Sequence, residues 1–257
     1  MKNKLVIGNS SQIFSFMKNK QDYHAISSRN ISSEIFEHEW SDVYLLFAEQ
    51  RTIYSNDIDY KNMFYEVNYT LTKNLINNLN YKNAIFISTS ELWNNTAGGI
   101  SVNTAFDYNQ NYYTDSKYKI TNMCLEREDV ITLFPYNFNS SVRGENFLFG
   151  KVFNSIIERR KIEVGDIDFS RELMHARHVA DSITTSVKND IIGRGEVTNV
   201  KSFITELYEL NGMDIEDYVK IKKSSYDNKK KINWKLVDVV DYTYKTLIDD
   251  YNWDING

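Results

Sequence analysis

Short apolar runs alternate with helical patterns through the first half of this chain. Five of these runs predict buried strands, over residues 4–8, 24–27, 43–48, 83–88 and 130–134. Helices are predicted over residues 12–17, 61–79 and 115–125. Strands that alternate with helices pair in parallel, because each crossover returns the chain to the same end of the sheet. The sequence therefore predicts an α/β fold, with a parallel sheet and helices on both faces.

The predicted pattern changes after residue 136. Helices are predicted over residues 147–159, 179–187, 200–210 and 234–251, with a short strand over residues 161–164. We therefore expect a Rossmann-like cofactor-binding domain over residues 1–136 and a smaller substrate lobe over residues 137–257, interwoven with the first. The first domain is shortened around residues 28–42, where too few residues remain for the usual helix, third strand and acidic turn.

The composition argues against several classes of protein. The 257-residue chain has a net charge of -5, so a general attraction to nucleic acid is not expected. Its one cysteine, Cys124, rules out an internal disulfide and suits a reducing compartment. The first apolar run is too short for a signal peptide, and no segment has the roughly 20 apolar residues of a membrane span. We therefore expect a soluble, cytoplasmic protein. A metal site is not expected, because the four histidines form no ligand pattern.

A tyrosine and a lysine four residues apart, Tyr113 and Lys117, are candidates for proton transfer. This spacing occurs four times in the chain, so it is weak evidence alone. Here, however, the pair follows a predicted strand that ends in hydroxyl residues, among them Thr89. On a helix the ammonium would share a face with the phenol and lower its pKa, and Thr89 could hold the reacting oxygen. The alternative is a surface pair on an amphipathic helix.

The first predicted strand-to-helix turn, residues 8–14, is a candidate phosphate-binding loop. A dinucleotide loop requires three glycines, but only Gly8 is present, with Ser11 and Phe14 at the other two positions. Backbone N–H groups and serine hydroxyls could still bind phosphate there, although Phe14 should push the helix away from the sheet. After the second strand, Ser28 and Arg29 replace the acidic residue that favours NAD. This pair favours NADP, with NAD as the alternative, unless Arg29 is only a solvated surface residue.

Several segments, in order along the chain, match stretches of one family. They are 47–50 (Leu-Ala-Ala-Gln in the family), 67–75 (Val-Asn-x-x-Gly-Thr-x-Asn-Leu), 88–93 (Ser-Thr-Ser-Glu-Leu-Tyr), 143–147 (Arg-Gly-Glu-Thr-Phe), 171–176 (Arg-Asp-Trp-Gly-His-Ala) and 192–196 (a late Gly-x-Gly-Glu turn). Over nearly its whole length the chain resembles the extended short-chain dehydrogenases of the NAD-dependent epimerase/dehydratase family, which act on nucleotide sugars; GDP-mannose 4,6-dehydratases and 4-keto sugar reductases are among them.

The resemblance implies roles for residues of this chain. Thr89, Tyr113 and Lys117 match the catalytic residues, and Glu91 matches the base of the family's dehydratases. The implied cofactor-binding residues are Gly8, Ser10, Ser11, Gln12, Ile13, Ser28, Arg29, Phe47 and Ala48, together with Tyr113 and Lys117. The implied substrate-binding residues are Ser90, Asn137, Arg143 and Arg171, although each arginine alone could be a surface ion pair.

The favoured function is an NADPH-dependent reductase of nucleotide-linked 4-keto-6-deoxy sugars in surface polysaccharide biosynthesis. The alternatives are a nucleotide-sugar 4,6-dehydratase or epimerase, and a non-catalytic protein that has lost its cofactor. The resemblance also implies a homodimer through the helices at residues 61–79 and 115–125.

Overall fold

The computed structural model describes residues 3–50, 58–222, 231–237 and 239–257, with only the backbone described at residues 58–60. Its centre is a parallel sheet of six strands in the order β11-β6-β4-β3-β1-β2. These strands are β1 (Lys4–Ile7), β2 (Tyr23–Ile26), β3 (Glu39–Leu45), β4 (Asn80–Ile87), β6 (Val130–Pro135) and β11 (Asp190–Ile192). Shorter strands pair outside it: β5 (Gly98–Ile100) with β14 (Asn233–Lys235), β7 (Asn137–Asn139) with β10 (Leu173–His175), β8 (Ile162–Val164) with β13 (Val219–Ile221), and β9 (Ser170–Arg171) with β12 (Thr198–Asn199).

Helices cover both faces of the sheet. They are α1 (Gln12–Phe16), α2 (Glu34–Glu37), α3 (Ile58–Phe64), α4 (Thr72–Asn78), α5 (Tyr112–Leu125), α6 (Leu148–Glu158), α7 (Ala176–Thr185), α8 (Val200–Leu210), α9 (Ile215–Tyr218) and α10 (Tyr244–Asn256). Successive residues of a strand point to opposite faces, so Val6 joins one hydrophobic core while Leu5 and Ile7 join the other. The predicted α/β fold with a parallel sheet and helices on both faces is confirmed.

Strand β2 is the edge of the sheet. After it the chain runs through residues 27–38, where the helix α2 has only four residues, and enters β3 on the far side of β1. The described chain therefore has no further strand beyond β2. Within the described residues, this edge leaves one end of the crevice at the strand ends without an outer wall.

The predicted helix over residues 234–251 is wrong in its first part and right from residue 244 onward. Asn233–Lys235 form β14 instead, because the Asn233 side chain donates to the carbonyls of Trp93 (2.6 Å) and Thr96 (3.1 Å) and ties this stretch to β5. The helix begins only at Tyr244, after Thr243, whose side chain caps it.

Two other predicted helices differ in detail. The helix predicted over 61–79 consists of α3, a π-helical stretch Tyr65–Leu71 and α4. The helix predicted over 115–125 starts three residues earlier, since Asn111 and Thr114 form a reciprocal capping box. No helix in the described part of the chain is both long and apolar enough to cross a lipid bilayer.

Candidate active site

One cleft of about 710 Å³ runs along the carboxyl ends of the sheet strands. Every site residue predicted from the sequence lines it, because the ends of parallel strands meet at the same edge of a sheet. These residues are Gly8, Ser10, Ser11, Gln12, Ile13, Ser28, Arg29, Phe47, Ala48, Thr89, Ser90, Glu91, Tyr113, Lys117, Asn137, Arg143 and Arg171. Four of them are cationic, while Glu91 is the one acidic side chain among the described lining residues. The cleft thus suits an anionic ligand, although the chain as a whole is acidic.

Lys117 is buried in the floor of the cleft. It lies on α5, and its Nζ donates a 2.7 Å hydrogen bond to the carbonyl of Ile87, at the end of β4. The ammonium also lies 4.6 Å from the centroid of the Phe86 ring. Burial lowers the pKa of Lys117 from its ordinary 10.5 to about 7. Near neutral pH this side chain can therefore give or take a proton.

Tyr113 lies one helical turn before Lys117, in the first turn of α5, and is buried. The capping box at Asn111 and Thr114 fixes this turn, with two hydrogen bonds of 3.0 Å each. The carbonyl of Tyr113 accepts a 2.8 Å bond from the hydroxyl of Ser116. Helix α5 therefore presents the phenol and the ammonium to the cleft from one rigid element.

Thr89 and Glu91 line the same cleft, after the end of β4. The Thr89 hydroxyl oxygen accepts from the backbone N–H of Glu91 at 3.2 Å and so caps the short 3₁₀ helix Ser90–Trp93. Because the oxygen accepts this bond, its hydrogen remains for donation to an oxygen in the cleft. The Glu91 carboxylate accepts a 3.2 Å hydrogen bond from the amide of Asn94.

Two buried asparagines were not predicted as site residues. The side-chain oxygen of Asn94 accepts from the backbone of Asn109 at 2.8 Å, so the Asn94 amide has one orientation and faces Glu91 with its NH₂ group. Asn68 bonds to both backbone groups of Glu49, at 2.8 and 3.0 Å, and to Ser116 at 3.3 Å. Asn94 lies in the segment after the matched Ser-Thr-Ser-Glu-Leu-Trp, and no spacing pattern marks it; Asn68 lies in the matched Val-Asn segment, which was the available signal.

The turn between β1 and α1 keeps the one glycine that its geometry requires. Gly8 has a φ of +110°, and a Cβ there would lie 2.7 Å from the carbonyl oxygen of Leu46. Ser11 stands where the usual loop has a glycine, and it caps α1 instead. Its hydroxyl oxygen accepts a hydrogen bond from the N–H of Phe14 at 3.1 Å. The Phe14 ring packs edge-on against Tyr23 at 6.3 Å. The backbone of this turn therefore still lines the cleft.

Among the described residues that line the end of the cleft beside β2, Arg29, Ser10 and Ala48 are exposed. The Ser27 hydroxyl accepts from the Arg29 backbone at 3.2 Å and shapes the turn after β2. A guanidinium beside serine hydroxyls fits a phosphate ester. The turn at Gly8, the exposed Arg29 and the buried Lys117 thus fit the phosphate and nicotinamide ends of a dinucleotide cofactor.

Two more arginines that line the cleft lie over aromatic rings. The guanidinium carbon of Arg143 lies 3.6 Å from the Phe147 ring centroid, and that of Arg171 lies 5.1 Å from Phe169. Burial lowers the pKa of Arg143. Its Nε is buried and has no hydrogen-bond partner within the described residues. A buried N–H of a cation without a partner favours an anionic ligand in the cleft.

One protein family matches most of the chain in comparisons with known proteins. The sequence model of the NAD dependent epimerase/dehydratase family matches residues 7–200. Among curated proteins, no sequence matches the chain. Within the described residues, no group of three or more His, Cys, Asp or Glu side chains could hold a metal ion.

Solved structures resemble the fold throughout. MoeE5 in complex with UDP-glucose and NAD has a TM-score of 0.79 at 14% identity, covering 99% of this chain and 98% of that chain. RMD from Pseudomonas aeruginosa complexed with NADPH has a TM-score of 0.74 at 14% identity, with 98% of each chain covered. UDP-glucuronic acid 4-epimerase from Bacillus cereus in complex with UDP-glucuronic acid and NAD has a TM-score of 0.76 at 15% identity, with 98% of each covered.

Proposed function

The chain belongs to the NAD-dependent epimerase/dehydratase family of nucleotide-sugar enzymes, and we propose that it is an NADPH-dependent reductase of nucleotide-linked 4-keto-6-deoxy sugars. In this proposal residues 1–136 bind the cofactor and residues 137–257 bind the nucleotide sugar. Arg143 and Arg171 contact the diphosphate, with Ser90 and Asn137 beside the sugar. Such a reaction belongs to surface polysaccharide biosynthesis.

The proposed chemistry uses the buried side chains at the end of β4 and on α5. Bound NADPH supplies the hydride. Tyr113 gives its phenolic proton to the sugar oxygen that becomes a hydroxyl, and Thr89 donates a hydrogen bond to the same oxygen. The phenolate that remains is stabilised by the Lys117 ammonium in the same low-dielectric pocket. A pKa of about 7 lets Lys117 pass a proton back to Tyr113 from solvent near neutral pH.

The end of the cleft beside β2 supports a reductase over an epimerase or a dehydratase. A reductase consumes one NADPH per product, so its cofactor has to leave after each turnover. An epimerase or a dehydratase returns the hydride to its own substrate and needs a cofactor that stays bound. With β2 at the edge of the sheet and Arg29 and Ala48 exposed, the described residues offer little surface to retain the adenosine end of a cofactor. The exposure of the residues at the adenosine end is the observation that favours the reductase.

Arg29 supports NADPH over NADH. It lies after β2 with Ser28, and no acidic side chain lines that end of the cleft in the described residues. A cation there favours the cofactor with a 2′-phosphate. The solved relatives include one complexed with NADPH and others with NAD.

A second candidate, a dehydratase, is favoured by Glu91. Its carboxylate is held in the cleft by a neutral amide and lies two residues from Thr89. The Glu91→Gln variant separates the two functions. A retained rate of NADPH oxidation supports the reductase, whereas complete loss of turnover supports a dehydratase.

Binding and turnover test the proposal in turn. Purified protein is titrated with NADPH and NADH while its tryptophan fluorescence is followed, and is then incubated with a panel of UDP-, GDP- and dTDP-linked 4-keto sugars. We expect NADPH to bind and to be oxidised with one of these sugars. If neither cofactor binds at millimolar concentration, the chain is a non-catalytic member of the family.

We also propose that the enzyme works in the cytoplasm as a homodimer through α3, α4 and α5. The outward side chains of α4 that are described, such as Lys73, Asn74 and Asn77, are polar and exposed. Such a dimer would therefore be held by polar contacts and is expected to weaken at high salt. Light scattering after size exclusion, at low and high salt, measures this.

A further inference from the structure

The turn that carries Arg143 is held by two consecutive residues. The Ser140 hydroxyl donates to the Gln12 side-chain oxygen at 2.9 Å. The backbone N–H of Ser141 donates to an oxygen of Asp254, on α10, at 2.7 Å. The turn is therefore bonded both to α10 and to Gln12 at the start of α1, and these bonds restrict its movement.

Asp254 is the one charged group among these anchors. The same carboxylate oxygen also contacts Nε2 of His175 at 3.0 Å, and both side chains are buried. Nδ1 of His175 accepts from the backbone of Arg177 at 3.1 Å, so the ring proton is on Nε2 and is donated to Asp254. Burial alone would raise the pKa of Asp254, but the hydrogen bonds from His175 and Ser141 lower it. The carboxylate is therefore ionised at neutral pH and accepts both bonds.

The anchor is close enough in the chain to decide where Arg143 points. Ser141 precedes Arg143 by two residues, and the Arg143 backbone donates to the Ser140 carbonyl at 3.0 Å, which closes a tight turn. On the other side of this turn, α6 packs against it so closely that a Cβ on Gly150 would collide with the backbone of Arg143 and Gly144. Loss of the Ser141 bond would free the one side of the turn that faces α10.

We propose that Asp254, oriented by His175, is a positioning residue for the substrate diphosphate: it fixes the turn 140–143 so that the Arg143 guanidinium faces the cleft. The inference rests on the proposed function, in which Arg143 contacts that diphosphate. Asp254 does not line the cleft, so in this proposal its effect on the ligand passes through the turn that carries Arg143.

Asp250 provides a matched control one helical turn earlier on α10. It is also largely buried, and it accepts from the Tyr242 hydroxyl at 2.5 Å and from Arg177 at 3.2 Å. None of its described bonds reaches the turn at 140–143. Asp250→Ala should therefore lower stability without changing the direction of Arg143.

The test measures nucleotide-sugar binding by calorimetry, with UDP-glucose, GDP-mannose and dTDP-glucose as probes and the tightest of them used for the variants. We expect Asp254→Ala to weaken binding at least about 10-fold, as is usual when the support of a binding residue is removed. Asp254→Asn should lose less, because its amide oxygen can accept both bonds. Asp250→Ala should change the affinity less than about twofold, since it leaves the turn intact. The affinity for NADPH should be unchanged in all three variants.

Arg143→Ala completes the design. If Asp254 acts through Arg143, the Asp254→Ala change will have no further effect in the Arg143→Ala background. If Arg143→Ala weakens binding while Asp254→Ala does not, the positioning role is wrong and the proposed substrate class stands.

If no probe binds the wild-type protein, the proposed substrate class fails, and hydrogen exchange still decides the role of Asp254. The amides of residues 139–147 should exchange faster in Asp254→Ala than in Asp250→Ala. Equal protection in the two variants would overturn the inference.

Discussion

Replacing Lys117 by methionine should make the protein more stable while removing its activity. The side chain is buried, and its pKa is lowered from 10.5 to about 7. One pKa unit corresponds to about 1.4 kcal/mol, so the buried ammonium costs the folded state up to about 5 kcal/mol, and about 4 kcal/mol at pH 7. The lost hydrogen bond to Ile87 offsets about 1–3 kcal/mol of this gain. We therefore expect Lys117→Met to be more stable than the wild type by about 1–3 kcal/mol at pH 7.

The pH dependence gives the sharper test. Because the pKa of Lys117 is lower in the folded state, the unfolded chain binds more protons between about pH 7 and pH 10, and the stability of the wild type rises with pH over this range. Below about pH 7 both states are protonated and the cost is constant. The advantage of Lys117→Met should therefore shrink by about 2 kcal/mol between pH 7 and pH 9.

Equilibrium unfolding in guanidinium chloride at both pH values measures the effect. Lys82→Met is the matched control, because Lys82 is exposed on β4 and the same substitution there removes a lysine without removing a buried ammonium. We expect the control to follow the wild type at both pH values. A Lys117→Met variant that is less stable than the wild type at pH 7, or whose difference from it is the same at pH 9, would refute the assignment of a costly buried ammonium.

Three further variants test the cleft. Gly8→Ala should lose about 2–4 kcal/mol of unfolding free energy, because the φ of Gly8 is positive and a backbone oxygen blocks the new Cβ. The control Gly165→Ala, where the new Cβ meets open space, should change the unfolding free energy by less than about 0.5 kcal/mol. Arg29→Ala should weaken NADPH binding about 5- to 30-fold in fluorescence titrations, as expected for the loss of one exposed charge-assisted contact. The affinity for NADH should stay within about twofold, and an equal loss for both cofactors would contradict the 2′-phosphate role of Arg29. Asn94→Asp places a second carboxylate beside Glu91, and the two repel each other once both are ionised. The melting temperature of this variant should therefore fall as the pH rises from 5 to 8, and adding Glu91→Gln to it should abolish the fall.

Local pattern was sufficient to predict five of the six strands of the sheet and to place Tyr113 and Lys117 on one helix. Strand β1 contains three adjacent apolar residues, Leu5 to Ile7, and Tyr113 and Lys117 are four residues apart on one helix. For Thr89 the signal was its position at the end of an apolar strand. Each of these features lies within a few residues of the chain, where spacing alone carries the information.

The remaining features depend on contacts between distant parts of the chain. Asn233–Lys235 is a strand because it pairs with Gly98–Ile100, and no local periodicity could distinguish it from a helix. Asp254 contacts a turn 113 residues earlier in the sequence. The contacts of Asp254 therefore appeared only in the structure, while the site residues predicted from local pattern and resemblance all line the cleft.

The pairing of β11 with β6 has a consequence for the order of folding during synthesis. Asp190–Ile192 cover the outer edge of Val130–Pro135, yet more than fifty residues separate the two strands in the chain. While the ribosome is still producing those intervening residues, β6 has an unpaired row of backbone groups, which is the kind of surface that aggregates or recruits chaperones. We therefore expect a fragment that ends near residue 136 to associate with itself, and the nascent first half to be protected only once residue 192 has emerged.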